Sequence, residues 1–496
     1  MPAAPDLAAA EAAVDASASV VAAGFRHLAA DGDVDRDQVI AYDLAHAAAG
    51  VETARAVLEY GAKGDAEARI ACAFVADAVH GVATGLLGRE EEWGASADDL
   101  DDALELVRAY RSPEYLAELC GEQGPRHLSD DLRLVQDTFR RFAENEIRPV
   151  AEEVHRRNED IPESVIEGLA EMGTFGLSIP EEYGGVAEGN EDEYLTMVVA
   201  TEEQKREWLP RMASGEVMVA IAVTEPDYGS DVAQLKVSAT PDGDGWRVKG
   251  VKTWCTFGAR AELLMLLART DPDRSKGHRG LTLFVVPKER GGGHGFELTQ
   301  PEGGRMEGRA IDTIGYRGMH SYEVAFDNWY VAGDNLIGGE EGLGRGFYLQ
   351  MEGFENGRLQ TAARAVGLMQ AAYEAAYDYA ANRPVFGQPI LDYQLTRAKL
   401  ARMAVVVQAS RQCAYRVARL MARGEGAMEA SMIKAYACRA AEWVAREAVQ
   451  IHGGMGYAEE FAVSRYYVDA RVLSIFEGAD EILALKVIAR RLAAGK

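Results

Sequence analysis

The sequence predicts a mainly α-helical protein with a central block of antiparallel β-structure, and three observations carry that prediction. Apolar residues near the N-terminus recur at spacings of three and four, as in Val51, Ala54, Val57 and Leu58, which is the helical period. From about Val217 the pattern changes to short apolar runs bounded by turn residues, with no helices between them. Such runs read as an antiparallel sandwich or barrel. After about Gly338 long helical periodicity returns, and it reads as a bundle.

Taken in order, residues 1–120 form an alanine-rich helical segment set apart as an extra N-terminal domain. Glycine and proline at Gly121, Gly124 and Pro125 break the pattern. A second helical domain spans 121–216, with Ser129 as N-cap and an apolar face of Leu132, Val135, Phe139 and Phe142. The β-domain covers 217–337. Its clearest hairpin joins Leu235–Ala239 to Trp246–Thr256 across Pro241-Asp242-Gly243-Asp244-Gly245. The last domain, 338–496, contains helical stretches from Phe347 to Tyr379, Tyr393 to Arg423, Met428 to Gly453 and about Ala479 to Leu492.

Charge and cysteine usage narrow the function class. The chain holds 79 acidic and 52 basic residues, a net charge of −27, and more than half of the excess falls in residues 1–120. A nucleic-acid binder or a peripheral membrane protein needs a basic face, so neither is expected. Cys72, Cys120, Cys255, Cys413 and Cys438 are scattered without paired spacing. No disulfide framework or metal site is expected, and a reducing cytoplasm fits. The first twenty residues lack a basic region and a leucine-rich core, so no targeting segment is read there. The apolar stretch Ile70–Gly88 contains Asp77 and His80 and reads as a buried helix.

Four local motifs carry chemistry. Val223-Thr224-Glu225-Pro226-Asp227-Tyr228-Gly229-Ser230-Asp231 follows a strand and offers hydroxyls beside backbone N–H groups. Taken alone it fits either a flavin or phosphate contact or a strand-ending turn. Gly342, Gly344 and Gly346 precede a helix but follow no βαβ strand, which excludes a dinucleotide fingerprint. Gly453-Gly454-Met455-Gly456 after Gln450 and His452 permits close approach of a ligand or of a neighbouring backbone, and a lone histidine there reads as structural. Glu477, between Phe476 and Gly478, is either a desolvated base or a helix N-terminal carboxylate.

Together these motifs resemble the acyl-CoA dehydrogenase family. The matching segments are PEEYGG (180–185), AVTEPDYGSDVA (222–233), KGVKTWCTFG (249–258), GYRGMHSYEVAFDNWYV (315–331), ENGRLQTAARAVG (355–367), NRPVFGQPILDYQ (382–394), QIHGGMGY (450–457) and DARVLSIFEGADE (469–481). The resemblance implies a helical domain, a β-barrel and a helical bundle. It also implies non-covalent FAD, a CoA thioester substrate and an electron-transfer flavoprotein as acceptor. Val223, Thr224, Trp254 and Thr256 match residues that meet the isoalloxazine. Arg383, Phe386, Gln450, Gly453 and Gly454 match residues that reach the flavin of a neighbouring subunit, so the resemblance implies a homo-oligomer, at least a dimer. Ser230, Phe354 and Arg358 match the acyl-CoA groove. Glu477 matches the catalytic base, and Gly357 occupies the alternative base position used by some members.

Three departures from the family pattern bear on the site. Ala479 and Glu481 replace a hydroxyl and an amide residue common after the base, so some flavin contacts differ. Ala332 replaces a proline common after the last strand. The stretch MVVATEEQKREW (197–208) joins two family segments that are normally separated by further helical turns lining the acyl pocket. The extra N-terminal segment, with the ending RVLSIFEGADEILALKVIARRL, resembles one branch of that family, and this resemblance implies a short branched acyl chain ending in a carboxylate, (2S)-methylsuccinyl-CoA, oxidised to mesaconyl-CoA. Isovaleryl- or glutaryl-like substrates, an oxidase, and a non-catalytic flavin- or CoA-binding protein are the alternatives.

Overall fold

The computed structural model describes residues 3–31, 33–187, 200–301 and 303–495. Of the joined stretch 197–208, residues 197–199 lie outside them. The chain forms two compact units, one of residues 1–134 and 355–496, the other of residues 135–354.

The first unit is helical. Helices α1 (Leu7–Asp31), α2 (Gln38–Gly61), α3 (Asp65–Leu86), α4 (Asp101–Tyr110) and α5 (Pro113–Glu118) form its N-terminal part. Alanine, the strongest helix former, dominates these segments. Asp65 and Glu67 in the first turn of α3 complement its dipole. Ser112 caps α5 by accepting from the Tyr115 N–H at 3.2 Å, with Pro113 at the first helical position.

The C-terminal part follows a stretch of the second unit. It contains α10 (Gly346–Asn382), α11 (Gln394–Met421), α12 (Ala427–His452) and α13 (Ala462–Leu473), then a helical run from Asp480 to Ala493. Its own core gathers Met369, Tyr373, Leu400, Met403, Ile433 and Val444.

The N-terminal helices are not a separate body. Leu44, Val57, Ile70, Phe74 and Leu86 share one buried cluster with Ala401, Val405, Ala409, Met432, Ala484 and Ile488. Small side chains on α2 and α11 allow the close backbone approach that such sharing needs. Polar ties run alongside: Arg397 Nε donates to Ala117 O at 3.0 Å, and Gln408 Nε2 to Pro125 O at 3.0 Å. Helices α1 and α3 have the length and apolarity of a membrane span, and both contribute buried residues to this core, among them Val20, Phe25, Ile70 and Phe74.

The second unit carries α6 (Asp130–Phe142, which begins in the first unit), α7 (Arg148–Arg157), α8 (Glu163–Glu171), α9 (Glu202–Ala213) and eight strands. The strands are β1 (Val219–Ala222), β2 (Ser238–Asp242), β3 (Gly245–Thr256), β4 (Leu263–Arg269), β5 (Leu281–Pro287), β6 (Gly295–Thr299), β7 (Arg305–Ile311) and β8 (Ser321–Ala332). The β2–β3 hairpin forms as expected, with Asp242 opposite Gly245 and Gly243 at φ 63°.

The expected antiparallel barrel is seen only in part. The order is β1-β4-β2-β3-β8-β7-β6, with β5 on β4, and β1 runs parallel to β4 from Val219 to Ala222. The reason is topological. β1 leads into the 223–231 loop, and the chain passes through the β2–β3 hairpin before β4 returns beside β1 in the same direction. The result is an open, curled, mixed sheet. β4 is buried along its whole length because both faces are covered. Met265 and Leu267 pack with Trp208, Leu209 and Met212 on one side. Leu264 and Leu266 pack with Val248, Val324 and Phe326 on the other.

Candidate active site

The sheet brings four of the expected flavin-contacting residues together. The Thr253 N–H donates to Thr224 O at 2.8 Å, which sets Val223 and Thr224 beside Trp254 and Thr256. A buried ion pair fixes this register. Lys252, fully buried, donates to Val223 O at 2.8 Å and to Glu225 Oε1 at 2.9 Å. The Glu225 carboxylate also accepts from the N–H groups of Lys236, at 2.7 Å, and Val237, at 2.8 Å. Burial pulls the Lys252 ammonium down to about 8, and the Glu225 charge opposes that fall.

Trp254 is a strained residue of this group. It sits in an irregularity of the β3–β8 ladder, between the pairs Lys252–Val324 and Cys255–Tyr322. Its φ is 58° and the residue is 54% exposed. A bulky residue in that conformation costs about 1–3 kcal/mol and persists where function holds it. The ring is presented outward as a flat platform, which fits a planar aromatic cofactor. The Thr256 hydroxyl lies 2.9 Å from Ser321 Oγ. Ser230 is exposed on the 223–231 loop. Phe354 lies one turn before Arg358 on α10, so both point from one face of that helix.

In the first unit Glu477 stands in the turn between α13 and the last helical run, with φ 54° followed by Gly478 at φ 91°. Its carboxylate lies against Gly357 of α10, where an added Cβ would come within 2.7 Å of Oε2. The glycine thus makes the room that the acid occupies. Lys434 of α12, fully buried, donates to Gly478 O at 2.7 Å. Arg358 Nη1 donates to Ser431 Oγ at 3.2 Å, and Arg358 Nε is buried without a partner among the described residues. Burial raises the Glu477 carboxyl above its ordinary range, against the pull of Arg364, Lys434 and Arg358. Burial likewise lowers the Lys434 and Arg358 cations. A carboxyl raised in this way is a competent proton acceptor near neutral pH.

Arg383, Phe386, Gln450, Gly453 and Gly454 all lie at the surface of the first unit. Phe386 is 97% exposed at φ 52°, in the short hairpin of Pro384–Val385 and Gln388–Pro389. His452 stacks on Tyr379 at 4.2 Å, which draws the Gln450–Gly454 corner toward the end of α10 that bears Arg383. The His452 ring is buried and its Nδ1 lies 2.8 Å from Ala448 O, so its role is structural. Sequence reasoning missed Lys434, although a lysine inside the apolar run Ser431–Cys438 was a readable signal of a buried cation.

Comparison with known proteins places the chain in a family. The models of the acyl-CoA dehydrogenase N-terminal, middle and C-terminal domains match residues 129–199, 220–329 and 344–493. The chain is 42% identical over 395 residues to (2S)-methylsuccinyl-CoA dehydrogenase of Cereibacter sphaeroides, covering 74% of this chain and 71% of that protein. The crystal structure of acyl-CoA dehydrogenase from Geobacillus kaustophilus superposes with a TM-score of 0.66 at 30% identity, covering 74% of this chain and 100% of that one. The glutaryl-coenzyme A dehydrogenase–glutaryl-CoA complex gives a TM-score of 0.66 at 30% identity, covering 74% and 96%. The chain belongs to the acyl-CoA dehydrogenase family, whose members are FAD-dependent oxidoreductases.

Proposed function

We propose that this chain oxidises (2S)-methylsuccinyl-CoA to mesaconyl-CoA, with Glu477 as the base. The observation that carries the reaction is the Glu477 carboxylate, raised by burial and seated over Gly357. The substrate assignment is supported by the 42% identity to a methylsuccinyl-CoA dehydrogenase.

The chemistry follows from these residues. Glu477 takes the α-proton of the thioester, and the electrons of that C–H bond form the new double bond. A bound FAD would supply the acceptor for the β-hydride, with an electron-transfer flavoprotein as the oxidant of the reduced flavin. Val223, Thr224, Trp254 and Thr256 would hold the ring, with Trp254 supplying an aromatic face. Among the described residues nothing accepts from the Glu477 backbone N–H, which leaves that donor for the thioester oxygen as negative charge develops there. Ser230, Phe354 and Arg358 line the thioester's path in this reading. The unpartnered Arg358 Nε adds a cation beside the reacting end.

Exposure of Phe386, Tyr457 and the Gly453-Gly454 corner supports a homo-oligomer, at least a dimer, whose second copy completes the flavin site. Five unpaired cysteines support a reducing, cytoplasmic setting.

Anaerobic titration of the flavin-loaded protein tests the reading. Bleaching of the flavin by (2S)-methylsuccinyl-CoA ahead of butyryl-, isovaleryl- and glutaryl-CoA is expected. Bleaching by another thioester alone would replace the substrate and keep the reaction. Hydrogen peroxide formed in air at the turnover rate would make the protein an oxidase. A flavin that no thioester reduces would favour a non-catalytic binding protein.

A further inference from the structure

The turn that carries Glu477 is tied to the N-terminal helices by a contact whose α2 side lies outside all the family-like motifs. Tyr42 and His46 lie one turn apart on α2, and hence on one face. The Tyr42 hydroxyl donates to Asp480 Oδ2 at 2.5 Å, and His46 Nε2 lies 3.1 Å from the same oxygen. The two rings pack edge to face with centroids 4.5 Å apart. Asp480 is buried. Burial pushes its carboxyl up, but the bonds to His46 and Tyr42 outweigh that and hold it below its ordinary range.

Asp480 follows Glu477 by three residues, and its N–H donates to Ser474 O at 3.1 Å, which closes the turn. Ser474 Oγ donates to Glu442 Oε1 at 2.6 Å, and Lys434 Nζ to Gly478 O at 2.7 Å. Two anchors therefore come from α12 and hold the start and middle of the turn. The α2 pair holds its far end. A non-glycine residue keeps a left-handed φ only where its surroundings over-determine it, and at Glu477 these anchors do so.

We propose that Tyr42 and His46 are positioning residues for proton abstraction: acting through Asp480, they fix the turn that aims the Glu477 carboxylate. The proposal rests on the reading of Glu477 as the base. It gives the N-terminal helices a part in the reaction beyond filling the core. Displacement of a reacting group by about 1 Å costs up to roughly 10²-fold in rate, so loss of one of several anchors is expected to cost about tenfold.

The test is stopped-flow reduction of the full-length, flavin-loaded protein by (2S)-methylsuccinyl-CoA, unlabelled and α-deuterated, with butyryl-CoA in parallel. Tyr42→Phe combined with His46→Leu is expected to slow the limiting reduction rate about tenfold. The half-saturating thioester concentration stays unchanged and the α-deuterium isotope effect rises. His46→Gln keeps an amide donor near the Nε2 position and is expected to restore the rate. Glu52→Gln breaks the α2 ion pair with Arg416 away from the turn; it is expected to lower Tm and leave the rate alone. If the double variant does not fold, Tyr42→Phe alone carries the same test. Wild-type rate and isotope effect in the Tyr42 and His46 variants, or equal slowing by Glu52→Gln, would overturn the proposal. A wild-type protein that neither thioester reduces would overturn the base assignment, and the proposal with it.

Discussion

The two groups of candidate residues, one in each unit, are held in place by different means. Val223, Thr224, Trp254 and Thr256 sit on neighbouring segments of one sheet, fixed by a backbone bond and by the Lys252–Glu225 pair. Every support lies within the motifs 222–233 and 249–258 or beside them. The Glu477 turn instead takes its supports from Tyr42 and His46 on α2, Gly357 on α10 and Lys434 on α12. Those residues are far apart in sequence and share no local pattern. A site whose scaffold is contiguous announces itself as a motif, whereas one assembled from distant helices shows only its reactive residue.

The comparison breaks first at Glu477. Glu477→Gln is expected to reduce the rate of flavin bleaching by about 10²–10⁴-fold, the usual contribution of a general base, while the Trp254 half keeps its flavin. The same variant tests the raised pKa. A carboxyl raised on folding binds its proton more tightly in the native state, so it destabilises the fold as pH rises from its unfolded value through its folded one. Glu477→Gln is therefore expected to raise Tm at neutral pH, with the gain disappearing below about pH 4, where both states are protonated in the wild type. A Tm difference independent of pH would contradict the shift.

Two fully buried lysines sharpen the contrast. Lys252→Met leaves the buried Glu225 carboxylate without its cation, and breaking one side of such a pair costs about 3–5 kcal/mol. Denaturant unfolding should show that loss, together with release of the flavin. Lys434 faces a carbonyl rather than a carboxylate at hydrogen-bond distance. Lys434→Met is expected to cost less stability and to raise the Glu477 carboxyl further, since one of its three opposing cations is gone. The pH–rate profile for bleaching should then shift upward.

This asymmetry also governs what could be read beforehand. The order of helices, sheet and bundle was legible because periodicity is a local property, and so was the β2–β3 hairpin, whose turn residues lie between its strands. The parallel β1–β4 pair was not, because β1 meets β4 only after the chain has detoured through β2 and β3. The N-terminal helices read as a domain because composition changes near Gly121. Their shared core with Val405, Met432 and Ile488 depends on which apolar face meets which, and one helix's pattern does not specify its partner. Glu477 was legible as a residue, and its anchors were not.

Gly357→Ala separates stability from catalysis within one substitution. Gly357 lies inside α10, where alanine is favoured by about 1 kcal/mol. The new methyl would also come within 2.7 Å of Glu477 Oε2, and the flexible carboxylate would move aside rather than the helix. The expected outcome is a protein at least as stable as the wild type by thermal melting, with bleaching slowed about tenfold. A slower protein that is also less stable would show that the contact perturbs the bundle, not the acid alone.

The smallest expected effect lies on the sheet side and concerns strain. At an ordinary strand position alanine is preferred to glycine, since glycine loses more backbone freedom on folding. Trp254 reverses the expectation, because its φ of 58° penalises any side chain with a Cβ. Trp254→Gly should therefore be more stable than Trp254→Ala by about 1 kcal/mol in the flavin-free protein. Both lose the exposed indole and should retain flavin less well. Equal stability of the two would mean that the backbone relaxes once the ring is gone. In that case the left-handed turn is imposed by the indole's own packing rather than by the Lys252 register, and the sheet residues would depend on the side chain they present as well as on the scaffold beneath it.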